Sequence, residues 1–465
     1  MATQTTTLGE ATIAELEAGV RGPVVRPGDA DYDAVRAIWN GYHDRRPALI
    51  VRCLGTADVV RSLELARSEG LEISVRGGGH SIPGFSSNDG GLMIDLSLMR
   101  GVHVDPASVR AIAQAGATWG DYDAETQVYG MATTGGLIST TGIAGFTLGG
   151  GIGWLMRKHG LSCDSLVAAD VVTADGRLVR ASDDEDAELL WALRGGGGNF
   201  GVVTSFEFDL HPVGPTIYGG PMFFDGARGG EILRRYREWT ADAPDELTTM
   251  VNLTTAPPAP FLPAEWHGRK IAVVIGAWCG PLDQGEGAMA AMRELGDPIA
   301  DLCGPIPYRA LQSLLDALYP KGIVSYFKSG FLPELSDGVI DLFCERFEAM
   351  TSPQQEIHVQ HMGGAISRVG QDFSPFPDRT SPYIINLLSS APSRDGFDEQ
   401  MVWAKDTYAQ AEPYSSGRTY VNFMGQGDDR IRQAYAPETF ARLQAVKRRL
   451  DPDNTFRLNQ NIPPA

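Results

Sequence analysis

"SVRGGGHSIPGFSSNDGGLMIDLS", residues 74–97, ends a strand-like run in Arg76-Gly77-Gly78-Gly79 and sets His80 directly after the glycines. Three successive glycines suit neither helix nor strand. They let the backbone come close to something and reach φ values that other residues avoid. A histidine on such a loop is a ligand, a base, a nucleophile or a packed ring. Just upstream, "PALIVRC" reads as a strand preceded by a helix carrying Val35, Ile38 and Trp39. It is followed by "GTADVVRSLELARSEG", with Thr56 as a helix N-cap, Val59, Val60, Leu63 and Leu65 at helical spacing, and Gly70 as a stop. Strand, helix, strand and loop make an α/β unit.

Further glycine runs lie at "GIAGFTLGGGIGW", residues 142–154, at "RGGGGNFG", residues 194–201, and, more briefly, at "HMGGAIS", residues 361–367. Gly196-x-Gly198-x-x-Gly201 fits the dinucleotide fingerprint in letters only. That fingerprint follows a strand and opens a helix. Here the glycines follow the helical "DDEDAELLWAL", expected to start at Ser182 or Asp183, and open the strand "VVTSFEF". No run ends in Gly-Lys-Ser/Thr, so a P-loop is excluded as well. A tight turn or bulge explains one such run. Three long ones between residues 77 and 201 point to loops wrapped round a ligand. Their successive N–H groups make an anion nest fit for a pyrophosphate without a lysine.

The 465 residues suffice for two lobes with sizeable cores, and 43% hydrophobic with 21% charged residues is ordinary for a globular chain. A net charge of −19 repels phosphate backbones and argues against nucleic acid as a partner. No apolar run reaches the roughly 18 residues of a membrane span. "MATQTTTLGEATIAELEAGV" lacks a basic stretch followed by an apolar core, so no secretory leader is expected and the cytoplasm is the expected location. Cys53, Cys163, Cys279, Cys303 and Cys344 are scattered without CxxC spacing, which predicts buried thiols in a reducing compartment and no metal site.

Asp175-Gly176 signals a hairpin, and the Pro/Gly cluster at 212–215 marks a domain boundary. Beyond it the pattern predicts an antiparallel sheet backed by helices, with "GAMAAMRELGD" as one helix and "EIHVQHMGGAISRV" as one strand. On that strand, alternation puts His358, Gln360 and Met362 on one face and His361 on the other, with Glu356 expected at the surface. A basic amphipathic helix, "PETFARLQAVKRRL", and a turn-rich tail close the chain.

Taken together, "SVRGGGHS", "GGLMIDLSLM", "GFTLGGGIGWLMRKHGLSCDSL", "VVTADG" and "DDEDAELLWALRGGGGNFGVVTSFEF" resemble the PCMH-type FAD-binding module of the vanillyl-alcohol-oxidase superfamily. Within it the chain is similar to the berberine-bridge-enzyme-like and 6-hydroxy-D-nicotine-oxidase-like flavoproteins, and "YVNF" with "PETFARLQAVKRRLDPDNTFRLNQNIP" resembles their closing element. The likeness runs from about residue 45 to the end and is weakest over 215–350. It implies a two-lobed α+β fold: a lead-in (1–44), the FAD-binding domain (45–214), a substrate domain with an antiparallel sheet backed by helices (215–419), and a segment returning to the FAD domain (420–465).

The resemblance further implies that His80 bonds the 8α-methyl carbon of FAD. Arg76, Gly77, Gly78, Gly79, Ser81, Thr141, Gly142, Gly145, Gly149, Gly150, Gly151, Gly153 and Trp154 would cradle the cofactor with Asn199, Gly201, Val203, Tyr420, Asn422 and Asn459. Some relatives add a cysteinyl link where this chain has Ile138, so a single covalent bond is expected. Thr141 falls where the family gates oxygen over the flavin. Gln360 stands where the family often has a carboxylate or tyrosine base, leaving Glu356 or His358 as stand-ins. Tyr420 and Asn422 match a Tyr-x-Asn strand whose tyrosine is the base in sugar-oxidising relatives and whose asparagine sits against the flavin. The resemblance thus makes Tyr420 a catalytic candidate beside Thr141, His358 and Gln360, while Phe146, Trp154 and Trp278 are core aromatics able to line the pocket. The implied activity is an oxidase that takes a hydride from a small organic molecule, a secondary metabolite, and is reoxidised by O2. A dehydrogenase with another electron acceptor, a flavin-N5-oxide oxygenating enzyme and a non-catalytic flavin binder are the alternatives.

Overall fold

The computed structural model describes residues 8–465. Its first sheet holds the expected α/β unit. The strands Leu49–Arg52, Leu92–Asp95 and Ile73–Arg76 lie side by side and parallel, with the short Val24–Val25 antiparallel at the edge. The helix Thr56–Ser68 buries Val59, Leu63 and Ala66 in the same core as these strands. Thr56 opens this helix instead of capping it. The local carboxylate, Asp58, accepts from the N–H groups of Leu54, Arg21 and Gly22 and ties the helix start to the N-terminal segment. The preceding helix is only Tyr32–Arg36, so Ile38 and Trp39 lie beyond it.

A second, antiparallel sheet runs Val102–Asp105, Arg110–Gln114, Val202–Asp209, Leu166–Val172, Leu178–Ser182. Asp175-Gly176 makes the hairpin between its last two strands, with Gly176 at φ 85°. The next helix is Ala187–Leu193, later than expected. Ser182 is held in the sheet by pairing with Ala168, and Asp186 caps the helix by accepting from Leu189 N–H.

Residues 216–391 build the largest sheet, of eight strands, antiparallel throughout. Alternation along each strand sends residues to opposite faces. Val251, Val274, Ile357, Val359 and Leu387 turn one way, sharing a core with Ile232, Phe343 and Trp403 of the helices Gly229–Ala241, Asp337–Glu348 and Phe397–Ala411. Met250, Val273, Ile275, Phe327 and Leu388 turn the other way and pack with Trp39 and Trp154 of the first half of the chain. The expected strand over 356–369 stops at His361, because Gly363 (φ 82°) and Gly364 (φ 58°) turn the chain into a short helix, Ala365–Arg368. "GAMAAMRELGD" divides into two one-turn helices, Gly285–Ala288 and Ala290–Arg293.

The C-terminal helix Pro437–Leu450 places Phe440, Leu443 and Val446 in the core of the first half. Lys447, with no exposure, pairs with Asp451 at 2.6 Å and donates to the carbonyls of Asn199 and Phe456, both at 2.9 Å. The tail is thereby fixed to the 194–201 glycine loop. No helix among the described residues is long and apolar enough to cross a membrane.

Candidate active site

The glycine loops and the free face of the large sheet enclose one cavity. Gly77, Gly78 and Gly79 leave the end of a strand, and Gly142 and Gly145 belong to the turn and start of the helix Ile143–Leu148. The two loops meet backbone to backbone. A Cβ on Gly78 would collide with Gly142 Cα and N, and a Cβ on Gly142 with Gly78 N, so neither position accepts a side chain. Gly196, Gly197, Gly198 and Gly201 form a third wall. From Gly77 to Ile82, six successive backbone N–H groups donate to no protein acceptor among the described residues.

Arg76 does not reach the cavity. Its guanidinium binds the Asp95 carboxylate and the Val35 carbonyl and anchors the loop from behind. Burial acts to raise the Asp95 pKa, but the bonds and charge of Arg76 and the Ser97 N–H outweigh it and hold the carboxyl below its usual range.

His80 lies half-buried at the cavity wall, stacked on Trp39 at 4.9 Å between ring centroids, with Nε2 3.1 Å from Thr140 Oγ1 and Nδ1 3.5 Å from Thr141 Oγ1. Burial pushes its pKa down to about 3, so the imidazole is neutral at physiological pH. Ser81, Thr141, Val203, Tyr420, Asn422 and Asn459 also line the cavity, as do Ile138 and Phe146.

Six other expected cofactor residues stand behind the wall. Side chains at Gly149, Gly150, Gly151 and Gly153 would strike Asn422, Phe376, Ser162 and the Gly135 carbonyl respectively, so these are packing glycines. Trp154 is buried in the core with Trp39. Asn199 clamps the tail, donating to the Gly196 and Gln460 carbonyls and accepting from Ile462 N–H. Trp278 packs on the helix-covered face of the sheet, away from the cavity.

Tyr420 and Asn422 sit at and in a 3-10 turn, Val421–Phe423, and not on a strand. They still act together, because the Tyr420 hydroxyl accepts from Asn422 Nδ2 at 2.8 Å and from Gly151 N–H at 2.9 Å. Burial raises the Tyr420 pKa above the ordinary phenol range.

On the sheet, His358 and Gln360 line the cavity as expected, and Met362 packs in a separate apolar cluster. Glu356, expected at the surface, is buried. It accepts from Tyr319 at 2.8 Å, from Asn252 Nδ2, and from His358 Nε2 at 2.9 Å. Burial works to raise its pKa, but bonding and charge from His358, then Tyr319 and Asn252, prevail and lower it. Neither Tyr319 nor Asn252 carries a local sequence signal; both come from other elements. The Tyr319 carbonyl in turn accepts from Trp39 Nε1 at 3.0 Å, which joins the His80 wall to the His358 wall. Among the described residues no Asp, Glu, Lys or Arg lines this cavity.

A row of free amides beside apolar walls fits a dinucleotide with a pyrophosphate and flat rings. Sequence comparison agrees. The profile described as "FAD binding domain" matches residues 47–182, and that described as "Berberine and berberine like" matches 419–463. (R)-6-hydroxynicotine oxidase of Paenarthrobacter nicotinovorans is 32% identical over 96% of this chain and 97% of its own. An FAD-linked oxidoreductase of Dictyostelium discoideum is 33% identical over 96% and 95%. The crystal structure of 6-hydroxy-D-nicotine oxidase from Arthrobacter nicotinovorans superposes with a TM-score of 0.84 at 28% identity, covering 100% of both chains. With such identity along nearly its whole length, the chain belongs to the FAD-linked oxidoreductases of the berberine-bridge and 6-hydroxynicotine oxidase type.

Proposed function

We propose that this FAD-dependent oxidoreductase is an oxidase of a small organic substrate, carrying its flavin on a single histidyl bond at His80 and reoxidised by O2. The observation that carries this reading is the neutral His80 placed within the row of six free amides. Those amides suit the pyrophosphate. The bound flavin supplies the hydride-accepting chemistry.

This chain's residues supply the rest. Thr140 and Thr141 hold the His80 ring, with Oγ1 at 3.1 Å from Nε2 and 3.5 Å from Nδ1, and this neutral imidazole would carry the cofactor's methyl carbon. Ile138 on the cavity wall offers no thiol for a second bond. Tyr420, its pKa raised by burial against the lowering effect of the two N–H donors on its oxygen, keeps its proton near neutrality and steadies the glycine loop. In this reading residues 45–214 hold FAD, 215–419 supply the substrate wall, and 420–465 close over the cofactor behind the 1–44 lead-in. The five free thiols fit a reducing cytoplasm.

Acid precipitation tests the linkage. Wild-type pellets are expected to stay yellow, while His80→Ala releases FAD to the supernatant. Peroxide formed on mixing reduced protein with air tests the oxidase. Colourless wild-type pellets overturn the covalent bond, and flavin that stays reduced for minutes in air overturns the oxidase.

A further inference from the structure

On the sheet side of the cavity a buried carboxylate is bonded to a histidine that faces the cavity. Glu356 and His358, two apart on one strand, share a face, and their side chains meet at 2.9 Å through His358 Nε2. Tyr319 and Asn252 donate to the same carboxylate. An ionised carboxylate only accepts, so His358 Nε2 carries the hydrogen. His358 Nδ1 therefore holds the lone pair. It has no protein partner among the described residues and is not among the sealed, unpartnered atoms, so it opens to the cavity that His358 lines. An imidazole whose far nitrogen rests on a buried carboxylate is oriented for proton uptake, and the imidazolium it becomes is stabilised by the negative charge behind it.

The rest of the lining limits what can be oxidised. Among the described residues the cavity is lined by no Asp, Glu, Lys or Arg; its titratable side chains near the sheet are imidazole and phenol, and Gln360 and Asn386 are the neutral polar groups beside His358. An ammonium there would meet no carboxylate on the lining, since Glu356 lies behind His358 with its oxygens already held by His358, Tyr319 and Asn252. A carboxylate would meet no Lys or Arg, so either ion would be desolvated without a direct counter-charge.

Resting on the oxidase reading, we propose that His358 is the proton acceptor of the reaction, that Glu356 is its positioning residue, and that the substrate is an uncharged alcohol. The balance closes. The O–H bond breaks with its proton going to His358 Nδ1, and its electron pair becomes the C=O π bond. The carbinol C–H leaves as hydride to the bound flavin. The alcohol becomes an aldehyde or ketone and the flavin gains two electrons.

The test uses flavin-loaded protein mixed without air with benzylic and allylic alcohols, the matching amines and the matching carboxylates, with bleaching of the flavin followed. Alcohols are expected to bleach it and the ions are not. His358→Ala and the closer-shaped His358→Gln should slow bleaching about 10²- to 10⁴-fold, and added imidazole should restore part of the rate to His358→Ala. Glu356→Gln should slow it on the order of tenfold with the alcohol's dissociation constant unchanged, and should add nothing in a His358→Ala background. Independently of turnover, ¹⁵N NMR should find His358 protonated on Nε2 in the wild type and on both nitrogens in exchange in Glu356→Gln.

Bleaching by amines or carboxylates at the alcohol rate overturns the substrate class. Additive losses in the double variant, or no response to imidazole, overturn the His358–Glu356 assignment. Both results leave the flavin reading standing. A protein without bound flavin overturns that reading and this one together.

Discussion

The two walls of the cavity are built by different means. On the glycine-loop side the six main-chain amides from Gly77 to Ile82 are without protein acceptors among the described residues, and the loop carrying them touches the 142 loop backbone to backbone at Gly78 and Gly142. On the substrate side the lining groups are side chains, His358, Gln360 and Asn386, standing on a sheet whose backbone is already satisfied by its neighbours. A wall made of amides accepts one residue type at its crossing points. A wall made of side chains accepts any residue of similar size at the right parity. The first therefore tolerates little substitution where the loops cross, and the second can exchange its side chains without disturbing the backbone that carries them.

The largest difference should come from the anchor of the amide wall. Lys447→Ala leaves Asp451 buried without its cation and frees the Asn199 carbonyl, at an expected loss of about 3–5 kcal/mol in urea unfolding. Replacing both, Lys447→Met with Asp451→Leu, should recover only the part due to the unpaired charge, because the N–H groups of Thr455 and Phe456 then lose their carboxylate acceptor. Gly78→Ala comes next. The methyl meets backbone that cannot turn away, so about 1–3 kcal/mol is expected, together with loss of bound flavin in the absorbance spectrum of the purified protein. Retained flavin at wild-type stability would remove the contrast between the walls.

Acid acts on the same side. The folded-state pKa of Asp95 is depressed, so its contribution is complete above the unfolded value near ~3.9 and disappears as pH falls through the lower folded value. Urea midpoints between pH 6 and 3 should therefore fall more steeply in the wild type than in Asp95→Asn, by about 1.4 kcal/mol for each unit of depression.

The same difference in construction governs what can be read from residues alone. Glycine runs are local, so Gly77–Gly79, Gly142 and Gly196–Gly198 were legible, and His80 with them. Their division of labour was not. Gly149, Gly150, Gly151 and Gly153 look like cradle residues, yet they are small because Asn422, Phe376, Ser162 and Gly135 press against them from distant segments. The residues suggest a cap at Thr56 and a helix start at Ser182 or Asp183, but Asp58 binds the N-terminal segment and Ser182 is claimed by a strand, so the helices begin at Thr56 and Ala187. Period-2 alternation showed which face His358 and Gln360 share. It does not show what covers that face, so the pattern alone puts Glu356 at the surface, whereas Tyr319 and Asn252 cover it.

Asn386 offers the smallest stability effect and the sharpest contrast. It pairs in register with His358 on one side and Ser329 on the other. Its Oδ1 is buried without a donor, and Ser329 Oγ and Asn252 Oδ1 beside this row are unpartnered too. A buried acceptor with no partner costs stability relative to an apolar group of the same shape. Asn386→Leu, close in volume, should therefore leave unfolding within about 1 kcal/mol of the wild type or raise it, and flavin content should not change. Substrate-dependent bleaching should slow nonetheless, since the amide stands next to the proton-accepting imidazole. Stability gained with rate lost would show that this polar row is kept for the reaction and not for the fold. Stability lost with the rate intact would mean that the sheet, like the loops opposite, is held by its polar groups, and the distinction between the two walls would fail.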